Sequence, residues 1–196
     1  TVHTVSGYEV ESISNTLYTV NDFTFSGTAE AKGTNASNTA YPMNLQASQF
    51  TNANKNFANV EFKVIDGWLK INQRPVTLTA KPSTVNYDGK EHGYIGHDEA
   101  GLVNGHTSTV QSDFTAKFVG VYKDKIDLHD AVILDADGKE VTGNYDIKYV
   151  PATLTIVTEK TVIVRVEGNT YETEYDGELH KVDGYKFVEA NNTLYT

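Results

Sequence analysis

The chain contains no cysteine, which excludes disulfide scaffolds, zinc–thiolate sites and thiol nucleophiles together. Positive charge is the scarcer sign: 16 Lys plus Arg stand against 26 Asp plus Glu, a net charge of −10. Phosphate binding needs a clustered basic surface, so no nucleic-acid partner is expected. No apolar run approaches the length of a membrane span, so no membrane insertion is expected. Thr1-Val2-His3 brings neither a basic start nor an apolar stretch, and no signal peptide is read at this start. The signatures of catalysis are missing too: there is no nucleophile elbow, no His-Glu-x-x-His and no phosphate-binding glycine loop. The six histidines (His3, His92, His97, His106, His129 and His180) fall in none of these patterns. The expectation is a protein that is not an enzyme, with no catalytic residues, no metal and no cofactor. Hydrophobic residues make up 39% of the chain, including 12 Tyr and 8 Phe, enough to build a core.

What the chain does contain is a repeat of itself. His3-Thr4-Val5-Ser6-Gly7-Tyr8 matches His180-Lys181-Val182-Asp183-Gly184-Tyr185, and without a gap Asn15-Thr16-Leu17-Tyr18-Thr19 matches Asn192-Thr193-Leu194-Tyr195-Thr196. A middle copy is anchored at Tyr87-Asp88-Gly89-Lys90-Glu91-His92 against Tyr175-Asp176-Gly177-Glu178-Leu179-His180, an offset of 88. Asp22-Phe23-Thr24 pairs with Asp113-Phe114-Thr115, and the strand-like Trp68-Leu69-Lys70-Ile71 with Thr153-Leu154-Thr155-Ile156. These anchors predict a first module over 1–73 that lacks its opening strand, a second over 74–158, and the opening part of a third over 159–196. A chain divided this way reads as part of a longer array.

Alternation of apolar and polar residues predicts strands. Val76-Thr77-Leu78-Thr79-Ala80, Val60-Glu61-Phe62-Lys63-Val64 and Val162-Ile163-Val164-Arg165-Val166 each place apolar residues on one face. Asp-Gly and Gly-Asn pairs punctuate them, at Asp88-Gly89, Asp137-Gly138, Gly143-Asn144 and Asp176-Gly177. Ala47-Ser48-Gln49-Phe50 is the one stretch that suits a helical turn. The fold class expected is all-β, as tandem small β-sandwich modules of Ig-like or β-grasp-like topology. Gly27 to Ala40, rich in Gly, Thr, Asn and Ser, reads as a long exposed loop special to the first module. Ala131 to Val141 reads as a hairpin special to the second.

The strand and turn Val85-Asn86-Tyr87-Asp88-Gly89-Lys90-Glu91-His92, its copy at 173–180, and Gly143-Asn144-Tyr145 followed by Ala152-Thr153-Leu154-Thr155-Ile156 resemble the MBG-type repeats of large cell-wall-attached proteins from Gram-positive and gut bacteria. The resemblance spans nearly the whole chain, and the second module departs from it at Gly93-Tyr94-Ile95-Gly96. It implies adhesin-like modules at the bacterial cell surface, outside the cell. Their implied partner is a host extracellular protein, with immunoglobulin Fab fragments, bound in a superantigen-like manner, as the first expectation and mucin as the second. A passive stalk repeat and a mucin or glycan adhesin are the alternatives.

Within this frame the candidate partner-binding residues are Thr34, Asn35 and Asn38 in the long loop, with Tyr41, Trp68 and Tyr94 as aromatic anchors. The Tyr-Asp-Gly-x-x-His motif reads first as a hairpin turn. Asp135-Ala136-Asp137-Gly138-Lys139-Glu140 spaces oxygens as calcium loops do, but Asp146 is a poor twelfth ligand and a plain turn is the better reading. Asp124, Asp127, His129 and Asp130 read as a solvated edge. The opening strand carried by residues 160–180 could complete the first module of a neighbouring chain, a head-to-tail self-association.

Overall fold

The computed structural model describes residues 1–158 and 161–191. It is all-β: 42% of it is strand, and helix is limited to three single 3₁₀ turns at Val20–Asp22, Ala47–Gln49 and Thr142–Asn144. The turn at Ala47–Gln49 is the one expected from the sequence. The last part of the repeat, Asn192 to Thr196, lies outside the described residues.

Two compact units are present. The first comprises Thr1–Thr77, Ala100–Thr109 and Val132–Lys148, and the second Leu78–Glu99, Val110–Ala131 and Tyr149–Thr196. In chain order the strands are β1 (His3–Ser6), β2 (Phe23–Phe25), β3 (Glu30–Gly33), β4 (Tyr41–Pro42), β5 (Phe50–Asn52), β6 (Trp68–Leu69), β7 (Arg74–Ala80), β8 (Ser83–Asn86) and β9 (His92–Gly93). They continue as β10 (His97–Ala100), β11 (Thr107–Gln111), β12 (Thr115–Ala116), β13 (Gly120–Ile126), β14 (His129–Leu134), β15 (Tyr145–Val150), β16 (Ala152–Val157), β17 (Val164–Gly168) and β18 (Tyr185–Ala190).

In the first unit, short antiparallel ribbons pair β1 with β3, β2 with β5 and β4 with β6. Their cohesion is aromatic. Tyr8 meets Phe25 and Phe50 at ring separations of 5.0 Å, and Phe62 lies 5.4 Å from Phe23 and 5.6 Å from Phe50. Such ring pairs add roughly 0.5–1.5 kcal/mol each beyond their buried area. Beside this cluster the buried Tyr18 hydroxyl lies 3.1 Å from Asn52 Oδ1, and the Asn52 amide donates to the Phe57 carbonyl at 2.8 Å.

The second unit is built on the sheet β13–β16–β8. β16 runs antiparallel to β13 and parallel to β8. Alternation places Ala152, Leu154 and Ile156 of β16 inward, and Leu78, Ala80, Ile126 and Leu128 are also buried in this unit. Each fully buried Leu or Ile there contributes about 1.5–3 kcal/mol of transfer free energy. β9 pairs with β12, and β17 with β18.

Four expectations need correction. The Gly27–Ala40 stretch is not all loop: Glu30–Gly33 is β3, with Ala31 buried, because β1 offers it a full antiparallel ladder. Val60–Val64 belongs to no strand. Its alternation does sort the faces, with Phe62 turned into the aromatic cluster, but no neighbouring strand takes up its backbone groups in a ladder. The strand expected at Trp68–Ile71 shortens to Trp68–Leu69, the length that the two-residue β4 can pair. Val162–Val166 starts its strand only at Val164, and neither face of β17 is buried, because the two-stranded ribbon it forms with β18 lies on no core.

Candidate binding surface

The β4–β6 ladder sets the geometry of this surface. Tyr41 is opposite Leu69 and Pro42 opposite Trp68. Neighbouring strand residues point to opposite faces, so Tyr41 and Leu69 share one side and Pro42 and Trp68 the other. The inward side continues through the buried Met43, whose N–H donates to Gly67 O at 2.8 Å. Tyr41 lies flat against Gly33 of β3, where a Cβ atom would stand 2.6 Å from the ring. The outward side leaves Trp68 63% exposed.

The chain between β3 and β4 is held by bonds from several directions. The Tyr41 hydroxyl donates to Asn35 O at 2.8 Å. Lys70 Nζ donates to both Ser37 O and Asn38 O at 2.6 Å, and Ser37 N–H donates to Ile71 O at 3.1 Å. Asn144 accepts from Ala36 N–H at 2.7 Å, and its amide reaches Asn35 Oδ1 at 3.2 Å. Backbone carbonyls that would otherwise need water are thereby paired. Ala36, Ser37, Asn38, Lys70, Gln73 and Gly143 line an open, largely polar groove of ≈ 200 Å³.

Of the six residues expected at a binding surface, Thr34, Asn35, Asn38, Tyr41 and Trp68 therefore all belong to the first unit. Thr34, Asn35 and Asn38 are exposed in the braced loop, Tyr41 is its half-buried brace, and Trp68 stands outward from the adjoining ladder. Tyr94 belongs to the second unit, where its hydroxyl meets His97 Nδ1 at 2.6 Å and the two rings stack. Burial raises the Tyr94 phenol above its ordinary value, with Lys81 opposing the change.

Sequence reasoning missed Lys70 and Asn144. Lys70 could have been suspected, since it follows Trp68 by two in an alternating stretch. Asn144 could not, because it acts on Ala36 from 108 positions away.

The remaining sequence candidates have structural employment. Asp135 Oδ1 accepts from Asp137 N–H at 3.0 Å and Lys139 N–H at 2.9 Å, so its carboxylate closes the turn. Among the described residues no group of three His, Asp or Glu is placed to hold a metal ion. The buried Tyr145 hydroxyl accepts from Val103 N–H at 3.2 Å and lies 2.7 Å from His106 Nδ1.

Comparison of the chain with protein-family models, with curated proteins and with solved structures gave no match.

Proposed function

We propose that this chain is a non-catalytic binding part of a bacterial surface repeat protein, built from tandem small β-sandwich modules that carry contacts to a host extracellular protein. Immunoglobulin variable domains, presented on Fab fragments, are the partner tested first. One observation supports this reading above the others. Trp68 projects 63% exposed from a ladder whose neighbouring loop is fixed by Tyr41, Lys70 and Asn144. A large aromatic beside pre-ordered polar groups has the composition of an interface anchor with its rim, and a braced loop loses little freedom on binding. Repetition of such modules along a longer protein would multiply modest affinities into avidity.

The test is biolayer interferometry of the intact chain against Fab fragments differing in heavy-chain variable family, with mucin in parallel. Binding restricted to one variable family, weakened at least tenfold by Trp68→Ala while the melting temperature holds, supports the proposal. Binding to mucin alone replaces it with a glycan adhesin. Silence toward every Fab and toward mucin overturns it in favour of a stalk.

A further inference from the structure

The repeat relates three stretches of backbone, and two of them have the same structure. At the offset of 88, β17 and β18 are the counterparts of β7 and β10. The bond beside them is repeated as well: Lys81 N–H donates to Gly96 O at 3.0 Å, and Asn169 N–H to Gly184 O at 3.2 Å.

The third stretch is Tyr8–Ile13, which aligns with β18 through the match of His3–Tyr8 to His180–Tyr185. Its lead-in glycine already has the required backbone, with φ 90° at Gly7 and 89° at Gly184. Yet Tyr8–Ile13 belongs to no strand among the described residues. It is a strand position without a partner, and its first ring, Tyr8, rests on the aromatic cluster of the first unit.

β17 has the complementary deficiency. Its counterpart β7 buries Val76, Leu78 and Ala80, whereas Val164 is 38% and Val166 55% exposed, and Phe187 opposite Val166 is 61% exposed. An isolated two-stranded ribbon of this kind is marginal in water.

We infer that β17 of one copy of this chain adds as a strand to Tyr8–Ile13 of a second copy. The ladder of β17 with β18 fixes the register: Val166 stands opposite Val10 where Phe187 stood, Gly168 opposite Tyr8, and Val164 opposite Ile13. The exchange replaces one ladder by another of equal length and moves Val164 and Val166 from a bare ribbon to the margin of the aromatic cluster. Main-chain bonds supply the affinity and the alternate side chains the specificity. Each copy offers both a donor and an acceptor at different places, so the contact is heterologous and propagates head to tail. One pair carries the wrong sign. Glu167 is bonded to Lys186 at 3.0 Å within its own ribbon and meets Glu9 in the joined one.

The absence of cysteine makes the register directly testable. Sedimentation of the full chain over a wide concentration range should show mass rising above the monomer. Val166→Lys, at an exposed position, should abolish that rise, and Glu9→Lys should shift it to concentrations about two- to fivefold lower. Oxidation of Val10→Cys/Val166→Cys should give a ladder of linked oligomers, while Val10→Cys/Val164→Cys, one step out of register on the same face, should give far less. A strict monomer at every concentration without cross-linking, or equal cross-linking by the two double variants, overturns the inference.

Discussion

Asp88 and His92 are joined through a single carboxylate oxygen that serves two donors. Asp88 Oδ1 accepts from His92 Nε2 at 2.8 Å and from Lys90 N–H at 2.9 Å. Asp176 Oδ1 repeats the arrangement with His180 Nε2 at 2.7 Å and Glu178 N–H at 2.9 Å. The recurrent Tyr-Asp-Gly-x-x-His motif is thus a carboxylate-closed turn, and its histidine is a clasp.

This clasp predicts an acid-sensitive turn. The hydrogen bond from His92, then that from Lys90 N–H, holds the Asp88 carboxyl below its ordinary 3.8. At Asp176 the Glu178 N–H is the larger cause and His180 the next. A carboxyl lowered in the folded state contributes its stability in full above the ordinary value and loses it as pH falls through the folded one. Thermal melts from pH 5 to pH 2 should therefore fall more steeply for the parent than for Asp88→Asn/Asp176→Asn. Parallel curves would show that the two carboxylates contribute nothing.

Repeat-equivalent positions should respond unequally to truncation. Leu78 is fully buried and its counterpart Val166 is exposed. Leu78→Ala removes side-chain contacts and leaves a cavity, at a cost of about 2–5 kcal/mol. Val166→Ala touches no core in the monomer and should stay within about 0.5 kcal/mol. Urea denaturation at a dilution where the chain is monomeric measures both, and equal losses would contradict the exposed placement of β17.

That contrast marks where the sequence was legible. Alternation identified β7 and its buried face because Val76, Leu78 and Ala80 really do meet a core. The same alternation at Val162–Val166 identified a strand but carried no information on its burial, since period two reports which residues share a face and not whether anything covers it. Val60–Val64 shows the converse: facing without a ladder, because pairing depends on a distant partner. In the Gly27–Ala40 stretch, small polar residues concealed β3, whose strand state comes from β1 rather than from its own propensity. At the candidate surface, the exposure of Trp68 and of Thr34, Asn35 and Asn38 was readable from residue type. The bracing by Asn144 was not, since a contact across 108 positions leaves no local trace.

Gly93 explains a local departure from the repeat, where the other copies carry Thr4 and Lys181. It pairs with Thr115 across the β9–β12 ladder, and a Cβ atom there would run into the Phe114 carbonyl. Gly93→Ala must push β12 aside, so it should destabilise by about 1–3 kcal/mol, as overpacking does. The urea midpoint measures it. A neutral outcome would mean that β9 and β12 separate without loss.

His129 supplies a pH response of the opposite sign. Its Nδ1 lies 3.0 Å from Asp130 Oδ2 and its Nε2 3.3 Å from Asp113 Oδ2. The hydrogen bond to Asp130 is the largest cause raising it above its ordinary 6.5, burial opposes, and the charges of Asp113, Asp130 and Asp127 add to the rise. A histidine raised in the folded state contributes its stability in full below the ordinary value and loses it as pH climbs through the folded one. Histidine resonances followed by NMR should show His129 titrating above 6.5 in the parent and moving down most in Asp130→Asn, less in Asp113→Asn. Asparagine is the suitable probe at 130, because that residue has φ 47° and Asn tolerates the left-handed region. If Asp130→Asn leaves the titration in place, the direct bond is not its cause. If it moves as expected, the imidazolium is the counter-charge that lets three carboxylates crowd one edge of an already acidic chain, and deprotonation leaves them unopposed.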